Sequence, residues 1–169
     1  DFTSPDKNDF LCVREMWVYG ALYHRRADIV GFVNGLPLLF MELKNHDVEV
    51  VDAFNKNYRD YLDTIPQLFY HNAFIMFSNG LEARVGTIDS KWEFFHEWKR
   101  LKEEDAGNIE LPTMLRGICK KENFLDLLEN FILYDHSGGR TAKILARNHQ
   151  YLGVNQAVEM YRNRQYLNG

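Results

Sequence analysis

Long apolar runs are missing from this chain, and with them any segment of the roughly 20 residues needed to cross a bilayer as a helix. The N-terminus has no signal-peptide pattern, so a soluble, cytoplasmic protein with no membrane partner is expected. Cysteine is scarce: Cys12 and Cys119 form no ligand or redox motif. This rules out a disulfide framework and fits a reducing cytosol, with both thiols expected to be buried. The histidines at 24, 46, 71, 96, 136 and 149 lack the paired spacing of a zinc site. Excess positive charge is also absent. A formal net charge of -4 excludes a uniformly basic coat and leaves only a local patch for contact with a polyanion. No G-x-x-x-x-G-K-[ST] phosphate loop occurs, and Ser137-Gly138-Gly139-Arg140-Thr141 does not substitute for one, so ATP hydrolysis cannot be done by this segment. Repeats and low-complexity tracts are lacking too.

What is present suffices for a core. The chain has 169 residues, 46% of them hydrophobic, with 3 Trp, 9 Tyr and 12 Phe to supply large buried surface. It begins with Asp and ends on Asn-Gly, which suggests a segment of a longer protein.

Period and turn signals give the element order. Phe10 to Tyr19 reads as a strand and Gly20 to Arg26 as a turn. Ala27 to Val33 and Leu38 to Lys44 are the arms of a hairpin about Asn34-Gly35, apolar at nearly every position and so expected in a sheet covered on both faces. From Val50 the steps become three and four residues, through Val51, Phe54, Tyr58 and then Tyr61 or Leu62, and predict a helix that Pro66 ends. Strands follow at 72–78 and, after Asn79-Gly80, at Leu81 to Ile88. Trp92 to Leu101 has a helical period, Lys102 to Glu110 is a loop, and two more helices are expected from Pro112 to Cys119 and from Lys121 to Leu133. Residues 134–140 read as a flexible connection to a basic tail, in which Arg140, Lys143, Arg147, Arg162 and Arg164 face the single acid Glu159. The pattern predicts an α/β (α+β) core with a mixed sheet.

Three charged residues near the outer ends of the hairpin arms, Asp28, Glu42 and Lys44, ask for a reason, because charge beside a buried run is costly unless paired or metal-bound. Two carboxylates can hold a hard cation such as Mg²⁺, and a lysine can hold an attacking water or offset charge in the transition state. Residues two apart in a strand share a face, so Glu42 and Lys44 project together and Leu43 points away. Asp28 lies across from Glu42 only if paired residue numbers sum to 70. A plain two-residue Asn34-Gly35 turn gives 69 and puts the carboxylates on opposite faces. A three-residue loop or a bulge between Asp28 and Glu42 is therefore expected. A structural ion pair between Glu42 and Lys44 is the alternative reading.

The run Arg25-Arg-Ala-Asp-Ile-Val-Gly-Phe-Val-Asn-Gly-Leu-Pro-Leu-Leu-Phe-Met-Glu-Leu-Lys-Asn45 closely resembles the N-terminal nuclease module of the restriction (R) subunit of type I restriction-modification enzymes, a branch of the PD-(D/E)XK nucleases. Stretches at 65–69, 72–74, 78–80 and 143–151 look like the same family. The resemblance implies a restriction-endonuclease-like core with a central mixed sheet flanked by helices and a C-terminal helical segment. It also implies Asp28 and Glu42 as Mg²⁺ ligands, the Leu43 carbonyl as a further ligand, and Lys44 as the catalytic lysine. Ala27 stands where the family usually has proline. The family's Gln-x-x-x-Tyr motif corresponds to Asn57 and Tyr61, with Asn replacing Gln. In the full protein Gln150 could read adenine, with a capping role as the alternative, and ATP would be bound downstream.

The expected organisation is a nuclease core over 1–90, truncated at its N-terminus, a helical extension over 91–137, and a linker and the start of a helicase-like motor over 138–169. Implied partners are double-stranded DNA, methyltransferase (M) and specificity (S) subunits, and that motor, in a bacterial or archaeal cytoplasm. Arg25, Arg26, Lys56 and Arg59 could contact DNA phosphates. A catalytically silent module that docks the motor or partner subunits, and another nuclease of the same fold, are the competing functions.

Overall fold

The computed structural model describes residues 1–167, with side chains through Arg164. Five strands, β1 (Phe10–Tyr19), β2 (His24–Val33), β3 (Leu36–Leu43), β4 (Phe74–Ser78) and β5 (Ala83–Gly86), form one sheet in chain order. All neighbours are antiparallel except β3 and β4, which are parallel and joined by a helical crossover. The architecture is α+β with a mixed sheet.

Both faces of the sheet are covered, as its apolar runs require. One face packs on the helical segment 50–64 through Val30, Phe40, Phe54, Tyr58, Tyr61, Ile75 and Phe77. That segment is α1 (Val50–Asp52), a π-helical stretch (Ala53–Tyr58) and α2 (Arg59–Thr64). On the other face Leu39, Met41, Phe74 and Met76 pack on α3 (Leu111–Ile118) and α4 (Lys121–Asn130), with Leu145 and Tyr151 completing that core.

The central hairpin solves its parity problem with a bulge. Asn34 and Gly35, at φ 52° and 81°, make a two-residue turn with Val33 opposite Leu36 and Phe32 opposite Pro37. The register then shifts, and Gly31 pairs with Leu39, Val30 with Phe40 and Ile29 with Met41. Leu38 is the extra residue, beside Pro37, which has no N–H to give to a ladder. Continued by one step, this register sets Asp28 opposite Glu42.

A second irregularity lies across from Asp28. Glu15 has φ 51°, a left-handed conformation rare in a non-glycine residue, and drops out of an otherwise continuous pairing between Arg14·Ile29 and Met16·Ala27. The side-chain alternation of β1 reverses there: Phe10 packs with the α3–α4 core, whereas Met16 and Val18, of the same parity, pack with the core of segment 50–64.

Four expectations are corrected. The turn expected from Gly20 to Arg26 ends before His24, because His24, Arg25 and Arg26 already pair with Tyr19, Val18 and Trp17 as part of β2. Trp92 to Leu101 is no helix; a single 3₁₀ turn (Trp92–Phe94) leads into extended chain, and Val85 and His96 exchange backbone hydrogen bonds at 2.9 and 3.0 Å. The aromatic spacing arises because Phe95 enters one core and Trp98 the other. The helix expected to reach Leu133 stops at Asn130, and β6 (Ile132–Asp135) pairs with β7 (Ala142–Leu145) as a second, two-stranded sheet. Helix α5 (Asn148–Leu167) follows, and residues 168 and 169 of the stretch expected to lead into a motor lie outside the described residues. Finally, Cys12 is exposed, so only Cys119 is largely covered, where burial pushes its thiol up to about 12.

Candidate active site

Asp28, Glu42 and Lys44 are brought together where β2 and β3 part. Beyond the Ile29·Met41 pair the ladder stops, and the Asp28 side chain takes its place: Oδ2 accepts the Leu43 N–H at 2.8 Å. On the other side, β3 stays tied to β4, with Leu43 opposite Ser78 and Lys44 N–H donating to the Ser78 carbonyl at 2.8 Å. Glu42 and Lys44 are thus held on firm backbone at a strand end, with Leu43 packed toward the α3–α4 core.

Glu42 is the most unusual group in the chain. It is only 2% exposed; its Oε1 accepts from Lys44 Nζ at 3.0 Å, while Oε2 is buried with no partner. Burial, then the nearby charge of Asp28, pushes its pKa up to about 7 against the opposing pull of Lys44 and the Tyr61 hydroxyl. Lys44 has 19% of its side chain exposed, enough to reach solvent while remaining paired with Glu42.

Beside Asp28 and Lys44 opens a cleft of about 810 Å³, lined by Asp28, Leu43 and Lys44 on one side and by Cys12, Arg14 and Glu15 of β1 on the other; the buried Glu42 side chain is not part of this lining. The donor chemistry of the site fits a hard divalent cation. Glu42 has a carboxylate oxygen with no hydrogen-bond partner and feels the charge of the nearby Asp28 carboxylate, and all-oxygen donors of this kind suit a hard cation; among the described residues no third His, Cys, Asp or Glu joins them. Asp28 and Glu42 would hold Mg²⁺, leaving further positions to a carbonyl such as that of Leu43, to water and to substrate oxygens.

The remaining expected residues divide. Tyr61 reaches the site from α2: its hydroxyl donates to the Arg26 carbonyl at 3.1 Å, and burial and the Glu42 charge push its pKa up to about 12, while a hydrogen bond from Asn57 opposes this. Asn57 sits in the π-helical stretch and is half-buried. Arg26 is exposed and 3.6 Å from Glu15. Arg25 is committed elsewhere, forming a two-pronged pair with Asp60 at 2.5 and 2.9 Å that ties β2 to α2. Lys56 pairs with Asp52 one helical turn away, and Arg59 lies over the Phe54 ring at 5.3 Å. Gln150 is far along the chain in a different environment, where its Oε1 accepts the Arg147 N–H at 2.8 Å and caps the start of α5. Arg14 and Glu15 escaped the sequence reading. A charged residue in the left-handed region inside a strand leaves no compositional trace, so no signal pointed to them.

Residues 1–94 match the family described as "Type I restriction enzyme R protein N terminus". The chain is 36% identical over 169 residues to the "Type I restriction enzyme HindI endonuclease subunit" of Haemophilus influenzae, a match covering 94% of this chain and 16% of that protein. It is 31% identical over 183 residues to the "Putative type I restriction enzyme MjaIXP endonuclease subunit" of Methanocaldococcus jannaschii, covering 94% of this chain and 17% of that one. A third relative, the "Type I restriction enzyme EcoprrI endonuclease subunit" of Escherichia coli, is 28% identical over 120 residues, which is 66% of this chain and 38% of that protein. The chain therefore spans only 16 to 17% of the length of the first two relatives. With a relative 36% identical across 94% of this chain, and a matching family over the segment that builds the cleft, the chain belongs to the family of type I restriction enzyme R-protein N-terminal regions.

Proposed function

We propose that this domain is a Mg²⁺-dependent endonuclease that hydrolyses phosphodiester bonds of double-stranded DNA on a PD-(D/E)XK core, as the cutting part of a type I restriction enzyme R subunit. The observation that carries the reading is the buried, unpartnered Oε2 of Glu42 beside Asp28, with Lys44 on the other oxygen. Two nearby carboxylates, one of them buried with its pKa raised to about 7 and an oxygen lacking a hydrogen bond, are better explained as a cation site than as a structural ion pair, because a bound cation would satisfy that oxygen.

When bound, Mg²⁺ would supply positive charge to the scissile phosphate and make a nearby water more acidic. Asp28 and Glu42 would hold it, and the Asp28·Leu43 hydrogen bond fixes the orientation of the first carboxylate. Lys44, hydrogen-bonded to Glu42 and open to the cleft, orients the attacking water and places its charge near the developing oxyanion. Tyr61, near enough to Glu42 to feel its charge, packs on the helical side of the site and ties α2 to the Arg26 carbonyl. Arg26 and Arg14, on the β1–β2 side, would contact phosphates without reading sequence.

Target choice by M and S subunits, and ATP-driven translocation by a motor elsewhere in the R subunit, complete the proposal for a cytoplasmic enzyme. The test is nicking of supercoiled plasmid with Mg²⁺. Lys44→Ala should reduce it on the order of a hundredfold; equal nicking by both proteins would sink the reading in favour of a silent docking module.

A further inference from the structure

The outer end of the β1–β2 pair carries a group of side chains that neither core uses. Beyond Glu15, Met16 and Val18 pack inward, so Trp17 and Tyr19 project to the opposite side, beside their cross-strand partners Arg26 and His24. Among the described residues no helix covers them: Trp17 is 54% and Tyr19 75% exposed. The His24 ring lies 5.4 Å from that of Trp17 and 5.7 Å from that of Tyr19, so the three rings form one surface. Arg26, the cross-strand partner of Trp17, holds its guanidinium 3.6 Å from Glu15. Glu15 also lines the cleft that holds Asp28 and Lys44, so the surface continues directly from the cleft wall.

Exposed aromatic rings grouped on one face mark a binding site, and the β1–β2 turn beside them also exposes Leu22 and Tyr23. Their composition selects the partner. Flat rings with an arginine on the neighbouring strand suit planar π faces and phosphate together. The faces of bases are available for this only where they are unpaired, since a duplex keeps them stacked on each other.

We propose that Trp17, Tyr19, His24 and Arg26 form a stacking platform for unpaired bases of a DNA strand running out of the cleft. The rings stack on successive bases, and Arg26 neutralises the intervening phosphate in place of its weak pair with Glu15. The site would thus favour DNA with single-stranded character next to the scissile bond, such as a locally melted or displaced strand. This choice of substrate rests on the nuclease reading, but the platform can be tested without cleavage.

The test is anisotropy of fluorescein-labelled oligo-dT and of a blunt duplex, titrated in EDTA with wild type, Trp17→Ala, Trp17→Phe and Tyr19→Ala. Stacking predicts that Trp17→Ala weakens oligo-dT binding roughly tenfold or more, that Tyr19→Ala weakens it less, and that Trp17→Phe restores most of it. Duplex affinity should stay within about twofold of wild type, because phosphate contacts alone carry it. No oligo-dT binding by wild type, equal binding by wild type and Trp17→Ala, or an equal loss on duplex would overturn the platform and leave this face to a protein partner. Loss of nicking with retained Trp17-dependent oligo-dT binding would sink the nuclease reading alone. Normal nicking without that binding would sink the platform alone.

Discussion

Asp28 Oδ2 accepts the backbone N–H of Leu43 at 2.8 Å, where the next ladder bond between β2 and β3 would otherwise fall. The same carboxylate both closes the hairpin and raises the pKa of Glu42, so structural and chemical roles can be separated by choice of substitution. Asp28→Asn keeps an acceptor for Leu43 N–H and should melt near the wild-type temperature while losing Mg²⁺-dependent nicking. Asp28→Ala loses both, and costs about 1 kcal/mol in addition. Denaturant melts alongside plasmid assays would distinguish them, and nicking by Asp28→Asn at the wild-type rate would contradict the assignment.

Mg²⁺ should stabilise the fold itself, since a ligand that binds only the native state raises its stability. A rise in melting temperature with millimolar Mg²⁺ is expected for wild type. Glu42→Gln removes the buried charge and should be more stable than wild type in EDTA, yet gain little from Mg²⁺. A Mg²⁺ shift in Glu42→Gln as large as in wild type would place the ion elsewhere.

The two thiols should differ sharply. Cys12 is exposed on the cleft wall, whereas Cys119 is largely covered and its thiol is pushed up to about 12 by burial. Reaction with a thiol-specific disulfide reagent at pH 8 should label Cys12 quickly and Cys119 only on unfolding. Duplex DNA in Ca²⁺ should protect Cys12, and equal labelling with and without DNA would argue that the duplex does not enter this cleft.

His96 gives a pH dependence with a definite sign. Both ring nitrogens are buried with no hydrogen bond of good geometry, and burial, with Arg147, His149 and Arg84 acting in the same direction, outweighs the opposing backbone contact at Glu97 and lowers its pKa from 6.5 to about 4. Between these values the unfolded chain binds a proton that the folded protein refuses. Stability is therefore lost as pH falls from 6.5 toward 4, by up to about 3 kcal/mol, and no further below that. Glu42 shifts the other way over an overlapping range, so the measurement is the difference between wild type and His96→Phe at each pH. A difference that stays flat from pH 7 to pH 4 would contradict a buried neutral His96.

Gly117 lets α3 lie directly on Trp98: a β-carbon there would overlap the indole nitrogen. Trp98 is 1% exposed and cannot move aside, so Gly117→Ala should cost about 3 kcal/mol or more. Chemical denaturation checks this, and a change below about 1 kcal/mol would mean that the helix can shift.

Much of the site's placement was legible because it obeys arithmetic. Strand side chains alternate with a period of two, so the positions of Asp28 and Glu42 demanded an odd correction to the Asn34-Gly35 turn, and Leu38 supplies it. The helix over 50–64 was legible from its apolar spacing, although its π-helical middle was not. What failed did so because apolar spacing reports which residues are buried and not what conformation buries them. Trp92, Phe95 and Trp98 step by three because the chain passes the sheet edge and feeds two cores in turn. Ile132 to Asp135 follows a helix with no glycine or proline between, so its few residues were absorbed into the helical pattern. Glu15 was invisible for a different reason: its strained backbone is imposed by the strands around it.

The bulge at Leu38 makes the hairpin a ruler. Surface turns ordinarily tolerate insertion and deletion, but adding or removing one residue within the paired strands between Asp28 and Glu42 would exchange Phe40 with Met41 between two unlike cores and send Glu42 out on the wrong side. Odd changes of length are therefore permitted only where the loop or a bulge absorbs them. Counting that interval together with the loop length offers a way to judge, from sequence alone, whether a divergent relative has kept a cleft that can be assembled.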